Sequence, residues 1–332
     1  MLPIRPLQAA VWEIAALAVV LALTLHHLAP AVVITIVAVS GALFAVTSAR
    51  VAGHHLLGWT SIWLAFRLRR HDNRRDSPDP LHRIAGAVRV RQHVDRAGNR
   101  FGVAEVDGGW SAIVRLTGQS SAEDPRLLMS ILRTTYERVD IPLASAQLLT
   151  WTMSGGEGSE PLRAHWLTVR YRPDEAPIAA LARGGGSLGA LRSTACAALA
   201  LMGLLAEAGY ESTVLEAGEL ADELRVALGA DRQAAEITDS WSSWSAGPTA
   251  QTCYTTSSGS DAARVLGGFV KDATFTAASY TLRRAPGGKE RADVTLRVGG
   301  GRPPTDLGAR VVPLHGRHAS AVRRTLPLAL ES

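Results

Sequence analysis

The glycine cluster Gly184-Gly185-Gly186-Ser187-Leu188-Gly189 has the G-x-G-x-x-G spacing and opens onto a helical pattern. Backbone N–H groups in such a turn can hold a phosphate, so the chemistry it offers is nucleotide or sugar-phosphate binding. That fingerprint needs a strand running straight into the loop and a ribose-binding acid about twenty residues on. Here the expected strand Leu162–Arg170 ends well before the loop, with Pro173 and Pro177 between, and the acid falls to Glu207 in or at the end of the helix. A flexible loop before a capped helix is the better reading. His315 and His318 have a spacing seen in metal sites, but they flank Arg317 with no Cys or carboxylate close by. His26-His27 and His54-His55 lie at the edges of apolar stretches. Cys196 and Cys253 are far apart and neither belongs to a C-x-x-C, so no thiolate metal site is expected, nor a disulfide in a reducing compartment. No Walker A motif is present. We assign no catalytic, cofactor-binding or metal residue. Trp241 and Trp244 stand out in an otherwise polar stretch. They are core anchors or a docking patch; we expect one in the core and the other on a partner surface, and take both Trp241 and Trp244 as candidates for that surface.

Two apolar stretches at the N-terminus govern where these residues can work. Ala9–Leu28 carries one charge, Glu13, and Ala31–Ala49 carries none. About twenty apolar residues in a helix cross a hydrocarbon layer of ~30 Å. Only Ala29 and Pro30 separate the stretches, so a tight transmembrane hairpin is expected, with Pro30 suited to the turn. The apolar content runs too long for a cleaved signal peptide. Segment 67–100 is rich in arginine, including Arg67, Arg69, Arg70, Arg74 and Arg75, and the hairpin turn has no Lys or Arg. The positive-inside rule then places both termini in the cytoplasm of a multi-pass plasma-membrane protein. The net charge of +5 owes much to this patch, whose default partner is anionic lipid headgroups rather than nucleic acid. In Val51–Arg70, Leu56, Trp59, Ile62, Trp63 and Phe66 recur at helical spacing. This predicts a surface helix with Trp59, Trp63, Arg67, Arg69 and Arg70 at the membrane interface. A core helix of the globular part is the other reading.

About 260 residues follow, enough for one or two domains. His71–Asp79 reads as a linker. Ala87–Val94, Phe101–Val106 and Trp110–Leu116 read as an antiparallel meander, because Ala97-Gly98-Asn99 and Asp107-Gly108-Gly109 supply tight turns. A helix is expected over Pro125–Val139, with Ser121 and Asp124 as a capping box. Strands follow at Ser145–Thr152 and Leu162–Arg170, around a Gly-rich loop at 154–159. The longest helix after the hairpin is expected over Leu188–Ala208. A strand at Thr213–Leu215, a helix at Glu219–Leu228, a strand at Gln251–Thr256 and a helix at Asp261–Val270 come next. Thr274–Arg284 and Ala292–Val298 form a last hairpin across Pro286-Gly287-Gly288. Beyond Gly299 the composition predicts a loosely ordered tail.

The order and spacing of these segments resemble the EccE family, a membrane component of the type VII (ESX) secretion machinery of actinobacteria. The resemblance rests on the N-terminal apolar pair, on Gly58-Trp59 through Trp63 and Arg67 to Arg69-Arg70, and on the meander with Gly102-Val103-Ala104. It continues through the Ala/Leu helix ending Leu205 to Gly209-Tyr210-Glu211, the Trp241–Trp244 segment and the strands to Arg297. It implies a non-enzymatic structural subunit of a hetero-oligomeric plasma-membrane complex with EccB, EccC and EccD, supporting protein export. The alternative is a membrane-tethered enzyme binding a nucleotide or sugar phosphate at Gly184–Gly189. The expected fold class is α+β: a transmembrane helical hairpin (1–50), an amphipathic basic juxtamembrane helix and linker (51–80), a mixed α/β cytoplasmic domain with a meander (81–300) and a flexible tail (301–332).

Overall fold

The computed structural model describes residues 6–330 apart from 26–28, 49, 52–53, 73–78, 118–123, 139, 156–159, 231–236, 257–260, 285–287, 302 and 306. His26-His27, Ser121, the 156–159 part of the Gly-rich loop and Pro286-Gly287 therefore lie outside the described residues. The chain divides into two compact units, Met1–Arg74 and Arg75–Ser332.

In the first unit, α1 (Pro6–Thr24) and α2 (Pro30–Ser48) touch. The Trp12 indole donates to Thr47 Oγ1 at 2.9 Å, and its ring lies 5.0 Å from that of Phe44, so the start of α1 lies beside the end of α2. Ile14, Leu17, Ile34 and Val39 stay exposed. Two-residue strands β1 (Arg50–Val51) and β2 (His54–His55) pair with each other before α3 (Leu56–Asp72).

The second unit is built on one antiparallel sheet. Its strands are β3 (Arg89–Val94), β4 (Arg100–Val106), β5 (Gly109–Leu116), β6 (Ser145–Met153), β7 (Leu162–Tyr171), β8 (Ser212–Val214), β9 (Ile237–Asp239), β10 (Trp244–Ala246), β11 (Gln251–Thr256), β12 (Phe275–Arg284), β13 (Glu290–Gly299) and β14 (Val311–Pro313). Across the sheet the order is β3-β4-β5-β7-β6-β12-β13-β11-β10-β9, with β8 on β5 and β14 on β11. The expected meander is thus one end of a larger sheet. Its β4–β5 turn has Asp107 and Gly108 both at positive φ, 49° and 71°, as a two-residue type I′ turn requires.

Helices cover both faces: α4 (Pro80–Ala85), α8 (Ala217–Leu228) and α10 (His318–Arg324) on one, and α5 (Pro125–Tyr136), α6 (Pro177–Leu181), α7 (Gly186–Glu207) and α9 (Ala262–Gly267) on the other. Alternation along each strand sends successive side chains to opposite cores. On β6, Ala146 and Leu148 join the α5/α7 core, while Leu149 joins the α8/α10 core. Among the described residues two helices are long and apolar enough to cross a membrane, α2 and α7. More than half of α7 is enclosed by protein; α2 is almost wholly exposed.

Several sequence expectations need correction. The cap of α5 is Asp124 itself, whose carboxylate accepts from Arg126 N–H at 2.9 Å, with Pro125 in the first turn. Gly267-Gly268 stops α9 early, so the helix expected to Val270 ends at Gly267. Of the expected linker His71–Asp79, residues 73–78 lie outside the described residues; α3 takes in His71 and Asp72, and Asp79 caps α4. The stretch 301–332, expected as a loose tail, holds β14 and α10, and its Leu326, Leu328, Ala329 and Leu330 are among the most buried side chains. Its Gly/Pro/Arg-rich start hid a short apolar sequence that carries no periodicity of its own.

Candidate functional site

The predicted interface residues lie on α3. Trp63 is 49% exposed, and the Arg67 guanidinium sits 5.0 Å from its ring centroid, a cation–π contact one helical turn apart. Trp59 is half-buried, as is Arg69, while Phe66 is buried. The Arg70 side chain lies outside the described residues. The exposed members form an aromatic and cationic strip of the kind that suits a headgroup layer.

Trp241 and Trp244 separate. β9 and β10 form a hairpin closed by Ser240, whose Oγ accepts from Ser243 N–H at 2.9 Å. Trp244 opens β10 and is 1% exposed in the α8/α10 core, so it offers no partner surface. Trp241 stays half-buried, its ring stacked 6.3 Å from His315 at an interplanar angle of 8°. Behind it His318 is fully buried. Its Nδ1 accepts from Cys253 N–H at 3.1 Å, and its ring meets His315 edge-on. Accepting at Nδ1 requires the neutral tautomer with the proton on Nε2. Burial, followed by the nearby His315, pulls the His318 pKa down to about 4. Burial pushes the Cys253 thiol up to about 12, which makes it inert as a nucleophile. The equally buried Arg297 caps the C-terminus of α8, donating to Leu228 O at 2.9 Å, to Gln251 Oε1 at 3.1 Å and to Ala227 O. Burial lowers its pKa to about 10, so it is still charged at neutral pH and suits the negative end of the helix dipole. The two histidines are thus parts of a packed corner. Among the described residues no group of three His, Cys, Asp or Glu could hold a metal.

The glycine cluster links α6 to α7. Gly184, Gly185 and Gly186 take positive φ of 109°, 69° and 55°, and a Cβ on Gly189 would strike the Ala180 carbonyl. The glycines thus allow a sharp reversal and a close approach of two helices. The element before the turn is a helix, so the dinucleotide context is missing. The groove beside it is about 340 Å³, lined by Glu105, Trp110, Leu181, Gly186 and Ser187 among others. It presents one carboxylate and no cationic lining residue, the wrong polarity for a phosphate. Arg183 and Arg192 donate instead to the carbonyls of Ala179 and Arg183. Gly185-Gly186-Ser187-Leu188-Gly189 also has the G-x-S-x-G spacing of a nucleophile elbow. That elbow needs a strand before it. Here α6 precedes it, Ser187 is exposed at the start of α7, and no described histidine bonds to it.

Comparison with known families bears on this region directly. Residues 161–256 match the EccE family model. The family's description is "Putative type VII ESX secretion system translocon, EccE". No curated protein matches the chain. The EccE match runs from β7 through α6, α7, β8, α8, β9 and β10 to β11. It therefore takes in the glycine turn, the α7 core helix and both tryptophans, and it touches both faces of the sheet.

Proposed function

We propose that this protein is a non-enzymatic structural subunit of a type VII secretion membrane complex supporting protein export. The EccE match over 161–256 carries this reading, because it falls on the body of the sheet rather than on a peripheral loop. In it, α1 and α2 cross the plasma membrane as a hairpin, and both termini and the 75–332 unit lie in the cytoplasm. The exposed apolar side chains of the two helices and the Trp12–Thr47 contact support the hairpin. Trp59, Trp63, Arg67, Arg69 and Arg70 anchor the chain at the inner leaflet, with each Arg contributing about 1 kcal/mol to binding of anionic lipid. The partners are EccB, EccC and EccD, and Trp241 with the surrounding hairpin is a contact for one of them.

Affinity purification of the full chain from a host carrying the whole secretion locus tests this. Recovery of the three other subunits is the expected result; recovery of the chain alone sinks the proposal. A reporter fused to the C-terminus should be active only in the cytoplasm. The nucleotide-binding alternative has no support from the polarity of the Gly184–Gly189 groove.

A further inference from the structure

The floor beneath residues 324–330 is unusual for a protein interior. On the α8/α10 face, four adjacent strands present Ser111 (β5), Thr168 and Arg170 (β7), Ser145 and Gln147 (β6) and Ser279 (β12), all buried. These side chains grip the overlying segment almost wholly by its backbone. Ser111 Oγ donates to Leu328 O at 2.8 Å, Ser145 Oγ to Ala329 O at 2.6 Å and Thr168 Oγ1 to Pro327 O at 3.1 Å. Gln147 works at both ends of its amide: Nε2 donates to Arg324 O at 2.7 Å, and Oε1 accepts from Ala329 N–H at 2.9 Å. Ser279 Oγ donates to Arg324 O at 3.2 Å, and Arg170 braces Ser111 Oγ from behind. Leu326, Leu328 and Leu330 drop into the surrounding apolar core. The segment is bent rather than extended: Leu328 N–H bonds to Leu326 O, and Ala329 takes a φ of 50°, a region that only glycine visits easily.

A cradle of donors aimed at carbonyls, with pockets for three leucines, is how a protein recognises a bound peptide. Its floor can also be rehydrated. If the segment leaves, the hydroxyls and the amide of the floor meet water, and the apolar surface bared is confined to the leucine pockets around it. We propose that this cradle is a peptide-binding site closed in cis by Leu326–Leu330, and that it takes the same segment from a second copy of this chain when the strap opens. The second copy is the occupant because the cradle matches this particular Leu-Pro-Leu-Ala-Leu sequence, bend included. The contacts made in trans are then identical to those made in cis, and only the connection changes.

Split cysteine pairs in the detergent-solubilised full chain test this. In a Cys196→Ser background, chains carrying Ser145→Cys are mixed with chains carrying Ala329→Cys and oxidised. A disulfide between positions 145 and 329 of different chains, absent from either variant alone, is expected. If the doubly substituted chain closes on itself while the mixture gives no intermolecular disulfide, the segment does not exchange and the proposal is overturned. Hydrogen exchange of the unsubstituted full chain decides independently of whether the cysteines can pair. The amides of Leu326, Leu328 and Ala329 should exchange at least about tenfold faster than those of β6 and β12, by local opening. Exchange at the rate of those strands would mean that the strap leaves only on global unfolding, and the site would not exist.

Discussion

One sheet carries two faces of opposite character. Toward α5 and α7, strands β5, β7, β6 and β12 present Ala112, Val114, Leu167, Val169, Leu148 and Tyr280, and the helices above return Leu128, Leu132, Ala198 and Leu201. Toward the 324–330 strap the same strands present Ser111, Thr168, Arg170, Gln147 and Ser279. Both faces are equally dry. The first is held by area removed from water and so by shape; the second is held by donors paired to particular carbonyls. An apolar cover tolerates small shifts, whereas a polar one fails group by group when a partner is lost. The comparison shows that burial alone does not say how firmly a layer is attached.

Substitutions on the two faces should separate these modes. Leu167→Ala on the apolar face should cost about 4 kcal/mol, the upper range for a buried leucine, as a lowered denaturation midpoint shared by every probe. Acidification comes next, through His318 at the start of α10, which packs on Cys253 of β11 on the same side of the sheet as the strap. His318 has its pKa depressed to about 4 in the folded protein against about 6.5 unfolded, so the unfolded chain takes up the extra proton. Stability is full above about pH 6.5 and falls as pH drops toward 4, by up to about 3 kcal/mol, and His318→Gln should flatten that slope. The buried Cys253 thiol stays protonated throughout this range and contributes nothing to it. Gln147→Ala should cost about 2 kcal/mol, because it strands the buried N–H of Ala329 and takes from Arg324 O the nearer of its two donors, leaving Ser279. Its effect should be local, seen as faster hydrogen exchange over 324–330 with β6 and β12 unchanged. Ser145→Ala removes one donor to Ala329 O and should cost about 1 kcal/mol in chemical denaturation. If Gln147→Ala lowered every probe together as Leu167→Ala does, the distinction between the faces would be lost.

The legible parts of the fold were those with a local signal. Asp107-Gly108 fixed the β4–β5 hairpin, and Gln251–Thr256 is a strand with the bounds its pattern predicts. The apolar stripe of α7 and the strong turn after it gave that helix to within two residues. The illegible parts depend on distant partners. Trp241 and Trp244 are three residues apart, and only the β9–β10 hairpin turns one outward onto His315 and the other into the core. Leu326, Leu328 and Leu330 look like the end of a loose tail until strands from four parts of the chain supply their floor. Arg297 reads as an ordinary strand arginine, yet it is the buried cap of α8, a helix nearly seventy residues earlier. Lone charged or apolar residues whose partners are remote leave no period in the sequence to read.

Helix α7 has the length and apolarity to enter a bilayer, and its enclosure in the sheet is what prevents it. Of the described elements that pack most closely against it, β3, β4, β5, α5, β7 and α6 are encoded upstream and β8 follows. When the ribosome delivers this segment, nearly all of its shelter has already been synthesised. The order of the gene thus gives α7 most of its cover before it emerges, and moving those strands downstream would leave an apolar helix uncovered for longer during synthesis.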